Sequence, residues 1–361
     1  MSWLPPLERI PGAAAFAALS RRLRTLIVGG VIFLVLLALA LTMPVPYVVL
    51  SPGPTFNTLG TDDRGRRIIT IEGRTARTTR GHLNMTTVNV SNRPITAVDA
   101  LIGWLKHDEV VVPRAAVYPP GQTQQQVDRQ NATDFAASED NATAAALCEL
   151  GYPKAFGVFS VAKDGPSQAA LRAGDELLSV AATTVSSFTS LQTVLGKQQP
   201  GTTVAIAVKR SGRTLTVQVK LGKPPDGRKG GYLGINAATT CLAPFIVHIR
   251  LADVGGPSAG LMFALGIIDT VGSTDLTGGR FIAGTGEIDP AGNVGAIGGI
   301  ALKMIAARDK GATVFLAPAS NCGEVRGNVP DGLRVIAVKS LHEAVSDLDG
   351  LRTGSSQPPG C

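Results

Sequence analysis

The sequence has 361 residues, 44% apolar and only 17% charged, with 42 glycines and 23 prolines, so it suggests two or three domains rich in turns. Abundant branched aliphatic residues exclude disorder, and the lack of a G-X-Y period excludes collagen. The net charge of +7 carries no nucleic-acid signature: Arg9, Arg21, Arg22 and Arg24 against Glu8 place part of it in residues 1–24, the rest forms no basic stripe, and aromatic residues make up only 5%.

From Leu26 to Met43 the chain reads LIVGGVIFLVLLALALTM, without a charge. That length can cross a hydrocarbon core about 30 Å thick, and Tyr47–Leu50 could prolong it. A core helix would keep a polar face, and a cleaved signal peptide would have a shorter apolar stretch ending in small residues, not Pro44-Val45-Pro46. The reading is a transmembrane helix over residues 25–45, with the lipid bilayer as partner. Arginines before the span and an uncharged exit place residues 1–24 in the cytoplasm and the rest outside. Four cysteines, Cys148, Cys241, Cys322 and Cys361, suit that compartment; they show no CxxC spacing, so no metal site is expected, and they allow two disulfides in three connectivities. Cys361 ends a polar tail over 351–361 that offers it nothing to pack against, so it is either tied to another cysteine, with Cys322 the candidate, or a free thiol.

Beyond the span, Ser51-Pro-Gly-Pro54 reads as a stiff stem opening a membrane-proximal α/β region over 46–144. Strands are predicted at 67–72 and 86–91 and a helix at Ile95–Lys106. Tyr118-Pro-Pro-Gly121 breaks the chain before a long polar-alanine helix at Thr123–Leu150, on whose surface Asn131 and Asn141 fall. Residues 145–222 change rhythm: a strand at Gly157–Val161, a turn at Lys163–Pro166, the run Arg172-Ala-Gly-Asp-Glu-Leu-Leu-Ser-Val180, a helix near Ser187–Leu195, and a hairpin of Val204–Lys209 with Thr214–Lys220 about Ser211-Gly212. This order, with its Ala-Gly-Asp-Glu-Leu-Leu core, resembles a bacterial PDZ domain. The resemblance implies binding of peptide C-termini by strand addition, with the carboxylate held by a loop placed at Phe156, Gly157, Val158 and Phe159. The other reading of the unit is a packing module without a ligand.

Residues 230–350 carry the chemistry. Phe245–Leu251 alternates as a strand and leads through Asp253-Val-Gly-Gly-Pro-Ser-Ala-Gly260 into an apolar helix at Leu261–Asp269. Ser258 therefore lies at a glycine-rich strand-to-helix turn, where the amides of Gly255 and Gly256 and the helix dipole could favour an oxyanion; a helix cap is the plainer role. A second helix, read from Gly295 to Ala307, is apolar in its first turns except for Lys303, whose ammonium would lose water and become a base unless it snorkels to the surface. Parallel strands follow at Thr313–Leu316 and Leu333–Val338, then a helix from Ser340 with Glu343 completing a capping box.

Gly256-Pro-Ser-Ala-Gly260, Gly284-Thr-Gly-Glu-Ile288 and Gly292-Asn-Val-Gly-Ala-Ile-Gly-Gly-Ile-Ala-Leu-Lys303 resemble, in order and spacing, the proteolytic domain of Lon proteases. That resemblance implies a dyad of Ser258 as nucleophile and Lys303 as base, with Thr285 as a supporting hydroxyl. The whole order is similar to that of the membrane-anchored PDZ–Lon-like proteases of bacteria. No G-x-x-x-x-G-K-S/T motif occurs in the sequence, so the resemblance implies an ATP-independent endopeptidase without cofactor, acting on flexible or unfolded protein segments. Two rivals are a membrane-tethered peptide-binding scaffold with an inactive Lon-like domain and a G-x-S-x-G esterase, whose triad would need His342. The fold class expected is α+β multidomain: a transmembrane helix, a PDZ-like β-rich domain and a Lon-type proteolytic α/β domain, with a homo-oligomer left open.

Overall fold

The computed structural model describes residues 20–361 apart from Asn92 and Asp253, so the first 19 residues of the expected cytoplasmic tail lie outside it. The chain divides into two compact units, one of residues up to Leu50 with Val90–Pro120, the other of Ser51–Asn89 with Gly121–Cys361. In chain order the first elements are α1 (Arg21–Thr42), β1 (Pro44–Val45), β2 (Tyr47–Asn57), β3 (Ile69–Glu72), β4 (His82–Val90), β5 (Ile95–Thr96), α2 (Ala97–Leu105) and β6 (Val110–Pro113).

In the first unit, the Ser20 hydroxyl caps α1 by accepting the Leu23 N–H. The helix has 22 residues, none of them buried, so at about 1.5 Å per residue it is long enough to cross a bilayer. The chain does not prolong it: Tyr47–Leu50 instead pair antiparallel with Val110–Pro113. β1 pairs with β5, and the hydroxyl and carboxylate of Thr96 and Asp99 form the capping box that starts α2.

In the second unit, Ser51-Pro-Gly-Pro54 is the middle of β2, not a stem. Asn84 Nδ2 donates to Thr55 Oγ1 and Thr87 Oγ1 to the Pro54 carbonyl, stitching β2 to β4. The chain continues through α3 (Gln124–Glu149), β7 (Lys154–Val161), β8 (Glu176–Val180), β9 (Thr183–Thr184), α4 (Phe188–Gly196), β10 (Thr203–Arg210), β11 (Arg213–Lys220) and β12 (Ile235–Cys241). α3 starts at Thr123 with a capping box to Gln126. β7 to β12 form one sheet in the order β11-β10-β8-β7-β12, with β9 paired to β8, around a core of its own that includes Val158, Leu177, Leu191 and Ile206.

The remaining elements are β13 (Ile246–Ile249), α5 (Gly260–Val271), β14 (Phe281–Gly284), β15 (Glu287–Ile288), β16 (Val294–Gly295), α6 (Ile300–Asp309), β17 (Val314–Pro318), β18 (Arg334–Val338) and α7 (Leu341–Thr353). β4, β14, β17 and β18 lie side by side and parallel, while β13 pairs with β3. The sheet is thus built from chain on both sides of the β7–β12 unit. Between α3 and this sheet, α5 is buried along its whole length, the Phe135 ring meeting Phe263 edge-on at 5.7 Å. α6 begins at Ile300, later than its sequence suggests, because Val294-Gly295 pairs with Glu287-Ile288. At α7 the Ser340 hydroxyl accepts the Glu343 N–H, while the Glu343 carboxylate accepts from Lys339 and not from the cap residue itself.

Cys148 at the end of α3 is bonded to Cys241 at the end of β12, and Cys322 to Cys361. The C-terminal residues are packed: Ala337 N–H donates to the Pro359 carbonyl, Arg326 Nε to the Cys361 carbonyl, and Pro358 is buried.

Candidate active site

Ser258 occupies the turn that delivers the chain into α5. The turn needs a left-handed residue, and Gly256, at φ 83°, supplies it. Gly256 donates its N–H to the Asn131 carbonyl of α3 at 2.9 Å, so it shapes the turn and is not free for an oxyanion. Among the described residues, the amides of Gly255, Ser258 and Ala259 find no acceptor. The N-cap of α5 is Ala259, without a side-chain cap bond, so Ser258 is not a capping residue.

Lys303 lies on α6, whose N-cap Gly299 is also left-handed, at φ 70°. One turn into the helix the lysine points inward and is only 3% exposed. Its Nζ lies 2.8 Å from Ser258 Oγ and 3.0 Å from Thr285 Oγ1. The Thr285 hydroxyl donates to the Ser258 carbonyl at 3.0 Å, and the Gly286 N–H donates to the same carbonyl at 2.9 Å. The Thr285 proton is thereby engaged, which leaves its oxygen to accept from Lys303. Burial lowers the Lys303 pKa to about 8, against the pull of the Glu287 carboxylate in the other direction. The structure therefore brings Ser258, Lys303 and Thr285 together on a cleft of about 360 Å³ whose other walls include Met85, Thr87 and Val88 of β4.

Two residues that no sequence motif marks hold this geometry. Ser138 Oγ on α3 donates to the Pro257 carbonyl at 2.9 Å, beside the Asn131–Gly256 bond. Asn321, 4% exposed, clasps both backbone groups of Ile297 at 2.9 and 2.8 Å and so fixes the approach to α6. His342 is held by Glu149 at 2.8 Å, and His248 by Glu72 at 3.2 Å. Neither lines the cleft.

The residues expected to form a carboxylate-binding loop do not form one. Phe156, Gly157, Val158 and Phe159 lie inside β7, which pairs along its length with β12 and at Gly157 with β8. Phe156 and Val158 point into the core. β12 and β11 are the two edge strands of the sheet, and the loop before β12 is Gly231-Tyr-Leu-Gly234. A cleft of about 330 Å³ runs there, lined by Phe188, Leu191 and Leu195 of α4 and by Tyr232, Gly234 and Ile235. Among the described residues the amides of Leu233 and Gly234 have no acceptor.

Residues 244–348 match the model of the Lon protease (S16) C-terminal proteolytic domain, and residues 132–221 match that of the PDZ domain. The chain carries a PDZ domain and a Lon-type proteolytic domain. Its Lon-type part is similar to Lon protease 2 of Bacillus subtilis, 34% identical over 105 residues, which are 28% of this chain and 18% of that protein. It is also similar to the Lon protease of Heliobacterium modesticaldum, 33% identical over 122 residues, 31% of this chain and 15% of that one. The chain thus spans less than a fifth of the curated relatives it matches. The PDZ domain of an SdrC-like protein from Listeria innocua aligns with 23% of this chain and 92% of its own, at 25% identity and a TM-score of 0.21. The PDZ sheet extends past the matched segment, since its last strand, β12, lies beyond residue 221.

Proposed function

We propose that this protein is a membrane-anchored serine endopeptidase that works with a Ser258–Lys303 dyad, without ATP, on flexible or unfolded segments outside the cytoplasm. The observation that carries the reading is the 2.8 Å approach of Lys303 Nζ to Ser258 Oγ, where burial brings the lysine pKa down to about 8. In the neutral lysine the N–H groups are donors, one of them to Thr285, and the lone pair faces the serine hydroxyl. As Oγ attacks the scissile carbonyl carbon, its proton moves to Nζ, and the new oxyanion takes hydrogen bonds from the free amides at the mouth of α5. The ammonium then protonates the departing amine as the C–N bond breaks. Water, giving a proton to the same lysine, then adds to the acyl carbon; the C–Oγ bond breaks, the lysine returns that proton to Ser258 Oγ, and the carboxylic acid leaves.

The PDZ domain would bring substrate by its C-terminus, with the carboxylate on the amides of Leu233 and Gly234 and the peptide added to the open edge of β12 opposite α4. Arg21, Arg22 and Arg24 in the first turn of α1, against an uncharged exit, support a cytoplasmic N-terminus. The test is cleavage of a fluorogenic unfolded protein by the full chain in detergent without nucleotide, beside labelling by a fluorophosphonate. Labelling and turnover that vanish in Ser258→Ala and Lys303→Ala support the dyad. Turnover that survives Lys303→Ala would refute it, and a folded but inert parent chain would favour a peptide-binding scaffold.

A further inference from the structure

α2 packs inside out. Its side toward the first unit carries small residues: Gly103 is its only buried residue, Ala100 is half-buried, and a Cβ on Gly103 would lie 3.0 Å from Val111 Cγ2. The bulky residues turn outward, with Trp104 78% exposed, Leu105 74%, Leu101 57% and Ile102 47%. Leu101, Trp104 and Leu105 stand three and four apart and make one continuous stripe, which a helix in water would bury. The same unit contains α1. Directly after α1, Pro44 and Val45 pair with Thr96 and Ile95, and α2 starts at the next residue. The exposed stripe therefore begins one short ladder away from the exit of the apolar helix.

We propose that α2 lies flat in the membrane interface, its Leu101–Trp104–Leu105 stripe sunk to the boundary between headgroups and acyl chains where α1 leaves the bilayer. The inference rests on the reading of α1 as a spanning helix and adds to it a second lipid contact. Tryptophan favours this depth because its ring is apolar and its N–H can reach water. Lys106, paired with Glu109 at 2.6 Å, follows at the end of the stripe, where the chain turns back to the aqueous side. A lone short amphipathic helix binds lipid weakly, but one tethered to a spanning helix needs no affinity of its own.

The experiment uses the full chain in phosphatidylcholine–phosphatidylglycerol vesicles. The sequence has 2 tryptophans, so Trp3→Phe leaves Trp104 as the only indole. Lipids brominated near the headgroup should cut its emission about twofold, and Leu101→Lys with Leu105→Lys should relieve most of that loss while the chain still resists extraction by alkaline carbonate. Unquenched emission from a carbonate-resistant chain overturns the interfacial helix and leaves the anchor standing. Unquenched but blue-shifted emission means that a second copy or another protein covers the stripe, and also overturns it. A chain that carbonate strips from the vesicles removes the anchor and this inference with it.

Discussion

An ammonium taken out of water without an ion-pair partner destabilises the fold that holds it, and no salt bridge reaches Lys303 among the described residues. The unfolded chain binds that proton up to the ordinary lysine pKa, whereas the folded chain releases it near 8. Stability therefore rises with pH between about 8 and 10.5. Lys303→Met should raise the Tm at pH 7 by several degrees, and the gain should shrink by pH 10; equal gains at both would mean that the lysine is solvated. Activity should follow the same proton, with kcat/KM climbing toward a plateau above about pH 8. Ser258→Ala, Lys303→Ala and their combination should each lose about 10³-fold or more, and the double should lose little beyond either single change. The candidates Ser258, Lys303 and Thr285 are legible in the sequence, because each sits in a short motif with its own backbone signature. Asn321 and Ser138 are not, because a buried asparagine and a serine in a polar-alanine helix look like any others until the loops they hold are placed beside them.

At the scale of elements, α3 is the member that touches both the PDZ sheet, at β7 and β12, and the Lon-type part, at α5, β15 and α7. Along its first half and middle it holds the turn that carries Ser258, through Asn131 and Ser138, and at its end it is bonded to β12 through Cys148. Ser138→Ala should leave the fold intact and the KM unchanged while lowering kcat about tenfold, since it loosens the Pro257 carbonyl next to Ser258; an unchanged kcat would make the contact merely structural. Burial raises Glu139 on this helix to about 7 and Asp140 to about 6. Each binds its proton more tightly folded than unfolded, so stability should fall as pH rises from about 4.5 to 7, and Glu139→Gln should flatten that fall in thermal melts. Two elements misled the sequence for identifiable reasons. Prolines usually end strands, yet β2 runs on through Pro52 and Pro54, where its pairing with β6 has already stopped at Leu50 and the Pro54 carbonyl is held by the Thr87 hydroxyl of β4. The sequence places the PDZ carboxylate loop at Phe156–Phe159, where the first strand of the unit starts, but there β7 is paired with β12, which joins the sheet from the far end of the sequence with the free amides of Leu233 and Gly234 just before it. Amidating the C-terminus of a bound peptide should weaken it roughly tenfold, as loss of a hydrogen bond to a charged group would. Phe188→Asp should do the same, and calorimetry on the Ser258→Ala chain reads both.

For the whole molecule, the arrangement of the second unit is that of one domain threaded into another. β3 and β4 come before the PDZ sheet and β13 and β14 after it, yet they pair with each other, so the cleft that holds Ser258 and Lys303 is walled by chain from both sides of the insertion. A fragment beginning at residue 244 would lack β4 and α3. Such a fragment should fail to label with a fluorophosphonate, and labelling at the rate of the full chain would show that the early segments are dispensable. The entry and exit of the insertion meet at Cys148 and Cys241, with Cα atoms 5.1 Å apart. That bond turns residues 148–241 into a covalent ring. A peptidase that cuts flexible segments risks cutting its own exposed loops, and a single break inside the ring frees nothing. The nicked molecule would gain one water and keep both its pieces joined, with both halves of its groove. Such self-damage would run as one band on an ordinary gel and split into two only once a thiol was added.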